Sequence, residues 1–169
     1  MIVVETERLI LRRLTAADAE FILELLNDPS FLRFIGDRGV RNVEDARRYI
    51  ETGPVAMYAE HGFGMFLVQL KGDAVPIGIC GLMKRESLPD VDVGFAFLPR
   101  FWSQGYAIES ASAVVALGQR AFGLKRIAGI TKPGNRSSIK VLERLGLKFE
   151  KLVKLSAEGE DTALYARAL

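Results

Sequence analysis

One cysteine and one histidine are all the chain offers of the two side chains most used to hold transition metals. With Cys80 alone there is no intrachain disulfide and no cysteine-based metal cluster. No Cys/His/Asp cluster has metal-ligand spacing, so no metal is expected. His61 ahead of a strand reads as a solvated or hydrogen-bonded side chain, and Cys80 inside an apolar run reads as core. Long hydrophobic runs are missing too. None approaches the roughly 20 residues that span a bilayer. The start, Met1-Ile2-Val3-Val4-Glu5, lacks the charged-then-apolar pattern of a signal peptide, so a soluble cytoplasmic protein without a membrane role is expected. Charge of one sign is scarce: 23 Lys and Arg against 21 Asp and Glu give +2, which implies no nucleic-acid partner. Two nucleotide fingerprints are absent, Gly-x-Gly-x-x-Gly with a later acidic residue and Gly-x-x-x-x-Gly-Lys-Ser/Thr. There is no internal repeat, low-complexity tract or linker.

What remains is an ordinary globular composition. A chain of 169 residues, 49% of them hydrophobic, suits a single domain, residues 1–169. At that size roughly 70% of the unfolded surface can be buried.

The most informative stretch is residues 91–122. Val91, Val93, Phe95 and Phe97 alternate with Asp92, Gly94, Ala96 and Leu98, a period of two with one bulky and one small face. Pro99 has no N–H for a ladder and ends the strand. Beyond a short turn, Ala107, Ala111, Val114, Gly118 and Phe122 recur at helical spacing. A strand feeding a helix N-terminus makes an anion site, because the first turn leaves about four N–H groups unpaired and the dipole is positive there. Gly105 would let a ligand approach those groups closely. The plainer alternative is Ser103 as an N-cap with no ligand.

A second strand-turn-helix follows. Residues 125–132 read as a strand, then come Asn135-Arg136-Ser137-Ser138 and a helix with Ile139, Leu142 and Leu145 on one face, closed by Gly146. Earlier in the chain, residues 8–14 predict a strand, and Thr15 to Asp18 a capping box before a helix that ends at Asn27-Asp28-Pro29. Pro29 opens another short helix, and Asn42 caps a third that ends near Gly53-Pro54, with more helix over 55–60. Residues 64–70 and 75–83 predict a hairpin about Lys71-Gly72-Asp73, with Gly78 and Gly81 marking a bulge or a close backbone neighbour. Residues 148–155 and 162–168 predict the last two strands. The sum is an α+β domain with a mixed sheet of about seven strands and helices packed on it.

At these residues the chain resembles the GNAT superfamily of N-acetyltransferases, and within it the Rim-type branch of ribosomal-protein N-terminal acetyltransferases. Trp102-Ser103-Gln104-Gly105-Tyr106-Ala107 resembles the branch's acetyl-CoA loop, with Ser103 where the branch has Gly. Asn135-x-x-Ser138 followed by Leu142-Glu143-Arg144-Leu145-Gly146 resembles its second motif, and Glu5-Thr6-Glu7-Arg8-Leu9-Ile10-Leu11-Arg12 its usual start.

The resemblance implies a mostly antiparallel GNAT-like sheet and acetyl-CoA as co-substrate. The strand at 91–98 would part from that at 125–132 to admit the pantetheine arm, with backbone pairing at Phe97 and Leu98. The diphosphate would rest on the amides of Ser103, Gln104, Gly105, Tyr106 and Ala107, and Asn135 would bond the pantetheine amide. Arg100, Arg136 and Lys140 could meet remaining phosphate charge or be plain solvated surface. The acceptor would be a primary amine, on a small molecule or a protein N-terminus, attacking within a ternary complex. Asp92 stands where the branch has Glu, as general base, although a strand-end carboxylate facing solvent is the ordinary alternative. Ser138 would hydrogen-bond the departing thiolate, while Asn135 is also an excellent N-cap and Ser138 a first-turn residue. A homodimer is compatible with the family. The rival reading is a non-catalytic acyl-CoA-binding sensor or interaction module.

Overall fold

The computed structural model describes residues 1–169 and sets eight strands in one sheet. In chain order they are β1 (Ile2–Glu5), β2 (Leu9–Arg13), β3 (Met65–Leu70), β4 (Pro76–Met83), β5 (Asp92–Phe97), β6 (Arg126–Thr131), β7 (Lys148–Val153) and β8 (Thr162–Ala168). The spatial order is β1-β2-β3-β4-β5-β6-β8-β7. All neighbours are antiparallel except β5 and β6. The sequence predicts about seven strands; the eighth is β1, four residues too short and too exposed to show a period.

Six α-helices cover the sheet: α1 (Ala19–Asn27), α2 (Pro29–Phe34), α3 (Val43–Ile50), α4 (Ala56–His61), α5 (Tyr106–Phe122) and α6 (Arg136–Arg144). Their starts follow local chemistry. Thr15 Oγ1 accepts the Ala17 N–H while Asp18 Oδ2 accepts the Thr15 N–H, a capping box that leads through a 3₁₀ turn into α1. Asp28 and Asn42 cap α2 and α3 through their side-chain oxygens. The third helix does not stop at Gly53-Pro54 as predicted. It runs through a π turn, Glu51–Val55, into α4, a wider turn that accommodates the buried Pro54 without its missing N–H. None of the helices is long and apolar enough to cross a membrane.

The sheet separates two cores. Phe66, Val68, Cys80, Leu82, Val91 and Val93 face the side holding α4, α5 and α6. Met65, Leu67, Ile79, Ala96 and Leu98 face α1, α2 and α3. On this second face the helices stop short of β6. There Leu88, Ala128, Leu164 and Ala166 form a small separate cluster under the segment that follows β4. Within the sheet β3 and β4 approach closely enough that Gly81 is obligatory, since a Cβ there would sit 2.0 Å from the Gly64 carbonyl oxygen. The predicted close neighbour of that glycine is therefore the start of the antiparallel partner, β3.

Candidate active site

The only parallel junction in the sheet is also its weakest. β5 and β6 meet at one register position, Asp92 opposite Ala128, and then part. Along β5 the direction of the backbone groups alternates. Val91 accepts the Ala128 N–H across the junction, whereas Leu98 donates to Ile77 on the β4 side. Phe95 and Phe97, in step with Val91, therefore turn their N–H and C=O groups toward the opening. Leu98 does not: its N–H goes to Ile77, and its carbonyl accepts the Phe101 N–H. Of the two residues predicted to pair with a pantetheine arm, Phe97 faces the gap and Leu98 is committed within the protein. The Phe97 carbonyl already accepts Trp102 Nε1–H at 2.8 Å, which leaves its N–H as the available group.

A short 3₁₀ turn, Pro99–Phe101, carries the chain from β5 to the α5 N-terminus. Ser103 and Gly105 both have positive φ, 60° and 84°. Ser103 thus adopts the left-handed conformation that the glycine of the related motif would take freely, at a cost of about 1–2 kcal/mol. It is not an N-cap; Gly105 holds that position, with no side chain capping the helix. The N–H groups of Gly105, Tyr106, Ala107 and Ile108 consequently have no partner in the protein, and the first intrahelical bond is Glu109 N–H to the Gly105 carbonyl. Together with the helix dipole they form a cradle for a doubly charged anion.

Asp92 lies where the two strands part. Its side chain shares a face with Ala128, at the seam between the helix-covered core and the small cluster beyond it. It is 1% exposed, which removes the solvent-facing alternative, and Arg85 Nε donates to it at 3.0 Å. Burial raises the Asp92 pKa above the ordinary carboxylate value and outweighs the opposing pull of Arg85. Asp90, two residues earlier, is a different group altogether, paired with Arg126 at the surface.

Across the opening, Asn135 caps α6 by accepting the Ser138 N–H at Oδ1, 3.3 Å away, and its Nδ2 donates to nothing in the protein. The Ser138 hydroxyl is half-buried in the first turn and makes no side-chain hydrogen bond. Of the three cations considered for phosphate, Arg100 pairs with Glu24 and lies over the Phe101 ring, while Arg136 and Lys140 are exposed on α6. Sequence reasoning missed Arg85 and the Trp102 indole bond. Arg85 sits in an irregular segment with no period, and nothing in the sequence marks the Trp102 indole as a partner of the Phe97 carbonyl.

A family model described as the acetyltransferase (GNAT) domain matches residues 8–148. Among curated proteins, the uncharacterized N-acetyltransferase YoaA of Bacillus subtilis (strain 168) is 29% identical over 153 residues, covering 90% of this chain and 86% of its own. Among solved structures, a GNAT-family acetyltransferase from Bacillus anthracis superposes with a TM-score of 0.80 at 26% identity, covering 99% of this chain and 98% of that one. RimL, a ribosomal L7/L12 alpha-N-protein acetyltransferase solved with coenzyme A, superposes with a TM-score of 0.85 at 19% identity, covering 100% and 98%.

Proposed function

Because the chain belongs to the GNAT acetyltransferase family, whose acetyl donor is acetyl-CoA, we propose that the β5–β6 opening and the α5 N-terminus seat this donor and deliver its acetyl group to a primary amine. The observation that carries this reading is the single-residue junction at Asp92 and Ala128, followed by strands that part toward a run of unpartnered helix-terminal amides. The arrangement suits a ligand with an extended amide-bearing arm and a diphosphate at its far end.

In this reading the diphosphate rests on the amides from Gly105 to Ile108, reached through the turn at Ser103 and Gln104. The arm runs beside β5, pairing with its gap-facing groups at Phe95 and Phe97, while Asn135 Nδ2 donates to an arm carbonyl. The amine nitrogen attacks the thioester carbonyl carbon, so a C–N bond forms and the C–S bond breaks. The oxygen that takes up the electron pair accepts from the gap-facing Phe95 N–H, one step nearer Asp92 than the arm-pairing Phe97 N–H, a preorganised donor of the kind worth roughly 3 kcal/mol. Asp92, directly or through a water, takes the proton lost by the amine. Ser138 Oγ–H donates to the sulfur as negative charge develops there. Alignment in a ternary complex supplies the larger share, on the order of 7–11 kcal/mol.

The acceptor approaches from the seam on the Asp92 face. A small-molecule amine and a protein N-terminus both fit a site open at that edge; the RimL likeness favours the N-terminus. Free-thiol release from acetyl-CoA over a panel of amines and N-terminal peptides tests the reading. Release with at least one acceptor class is expected, and Gly105→Val is expected to abolish it together with coenzyme A binding. Binding without release for any amine would instead make the chain a sensor.

A further inference from the structure

The opening motif, Glu5 to Arg12, has no part in the chemistry above, yet its turn touches the diphosphate seat. Thr6 N–H donates to the Leu9 carbonyl to form the β1–β2 turn, and Thr6 Oγ1–H donates to Glu109 Oε2 on the first turn of α5. Arg8 gives its backbone N–H to the same oxygen at 3.0 Å and its Nε–H to Oε1 at 2.7 Å. Its Nη1 donates to the Gln104 carbonyl at 2.9 Å, and its guanidinium lies 4.5 Å from the Tyr106 ring centroid. A Cβ on Gly105 would come within 3.2 Å of Nη2. Arg8 therefore grips the loop at Gln104 and Tyr106 and lies alongside Gly105 between them, all from one side.

That side is the informative part. In a trans peptide the C=O and the following N–H point in opposite directions. With the Gln104 carbonyl held against Arg8, the Gly105 N–H points away from Arg8, and it has no protein partner. Rotating this peptide by half a turn would put a carbonyl oxygen where an anion needs a donor. Ser103, strained at φ 60°, gives the loop a reason to relax away from this arrangement. Glu109 holds the Arg8 backbone N–H at Oε2 and the guanidinium Nε–H at Oε1, so the fork is set before any ligand arrives.

We propose that Arg8, anchored by Glu109 and Thr6, is a positioning residue for the acetyl donor: it locks the Gln104–Gly105 peptide with its N–H turned to the diphosphate. The inference rests on the assignment of that seat to coenzyme A. Its consequence is selective, because only ligands carrying the diphosphate use the locked peptide. Lysine cannot replace arginine here, since one ammonium cannot reach both the Gln104 carbonyl and Glu109 Oε1 as the planar fork does.

The test compares coenzyme A, titrated by calorimetry, with pantetheine, titrated by amide shifts in NMR up to tens of millimolar. Arg8→Ala is expected to weaken coenzyme A about tenfold and pantetheine less than twofold, with Arg8→Lys in between for coenzyme A. Should Arg8→Ala fold poorly, Glu109→Gln releases the same guanidinium and is expected to weaken coenzyme A about threefold, again sparing pantetheine. Equal losses for both ligands would make Arg8 a fold residue only, and an unchanged coenzyme A affinity would also overturn the proposal. Failure of the unsubstituted protein to bind coenzyme A would strike the seat itself rather than Arg8.

Discussion

Asp90 and Asp92 are indistinguishable as letters two places apart, and only surroundings separate them. The strand period does place Asp92 on the small face with Gly94 and Ala96, so its direction was legible in the sequence. Its partner was not: Arg85 lies seven residues back in an irregular segment whose path no periodicity encodes. The pair makes a sharp prediction, because removing either partner leaves a different remainder. Asp92→Asn leaves Arg85, whose side chain is 27% exposed and can be hydrated, so stability should change by less than about 1 kcal/mol. Arg85→Ala leaves a buried carboxylate alone and should cost about 3 kcal/mol in denaturant unfolding. Activity should respond in the opposite order, with Asp92→Asn losing roughly 10²–10⁴-fold, the range for a lost general base. The pH profile adds a check. Burial raises the Asp92 pKa, so the acid limb of kcat/KM should fall above the ordinary carboxylate range. In Arg85→Ala that limb should move further up, because the attraction that favours the charged form is gone. An acid limb unmoved by Arg85→Ala would mean that another group titrates.

Among the elements, those with a complete period or a capping residue were legible: the hairpin of β3 and β4, β5 with α5, and α1 to α3 from Thr15, Pro29 and Asn42. What the sequence concealed were features made by contacts over long chain separations. The β1 strand exists because β2 offers it an edge, and the π turn continues a helix through Pro54 where local rules end it. The attachment of the β1–β2 turn to α5 joins residues about a hundred positions apart, Thr6 and Arg8 to Glu109. This attachment has a pH signature. Burial alone would raise the Glu109 carboxyl, but hydrogen bonds from Thr6 and from the Arg8 amide and guanidinium outweigh it and hold the pKa below its ordinary 4.5. A depressed carboxylate stabilises the fold above its unfolded pKa and loses that contribution as pH falls through its folded pKa. Melting curves should therefore show the native chain more stable than Glu109→Gln at pH 7, by about 1–2 kcal/mol. The gap should close on acidification from about pH 4.5 downward. A gap that persists unchanged at pH 3 would mean that the charge on Glu109 contributes nothing to holding the two elements together.

At the scale of the whole molecule, the proposed donor seat and the core are one structure. The seat is built from β5, β6, α5 and α6, and β5 is paired along its length with β4, in which Cys80 is fully buried. Burial pushes the Cys80 thiol up to about 12, against a weaker lowering by the Ser110 hydroxyl of α5. A thiol so placed is inert until β4 is uncovered, and uncovering β4 means lifting α5 off the sheet, which also destroys the amide cradle at its N-terminus. The state that exposes Cys80 therefore cannot bind coenzyme A. Linkage then fixes the size of the effect: a ligand at 100 times its Kd stabilises the closed state by about 2.7 kcal/mol. Where reclosing outpaces the chemistry, iodoacetamide should alkylate Cys80 about a hundredfold more slowly in acetyl-CoA at that concentration, the acetyl thioester keeping the ligand's own sulfur from consuming the reagent. Mass spectrometry of the single-cysteine chain reads the rate directly. A rate indifferent to bound acetyl-CoA would mean that Cys80 is reached through a local opening that leaves the cradle intact, and the core and the seat would then be separable units.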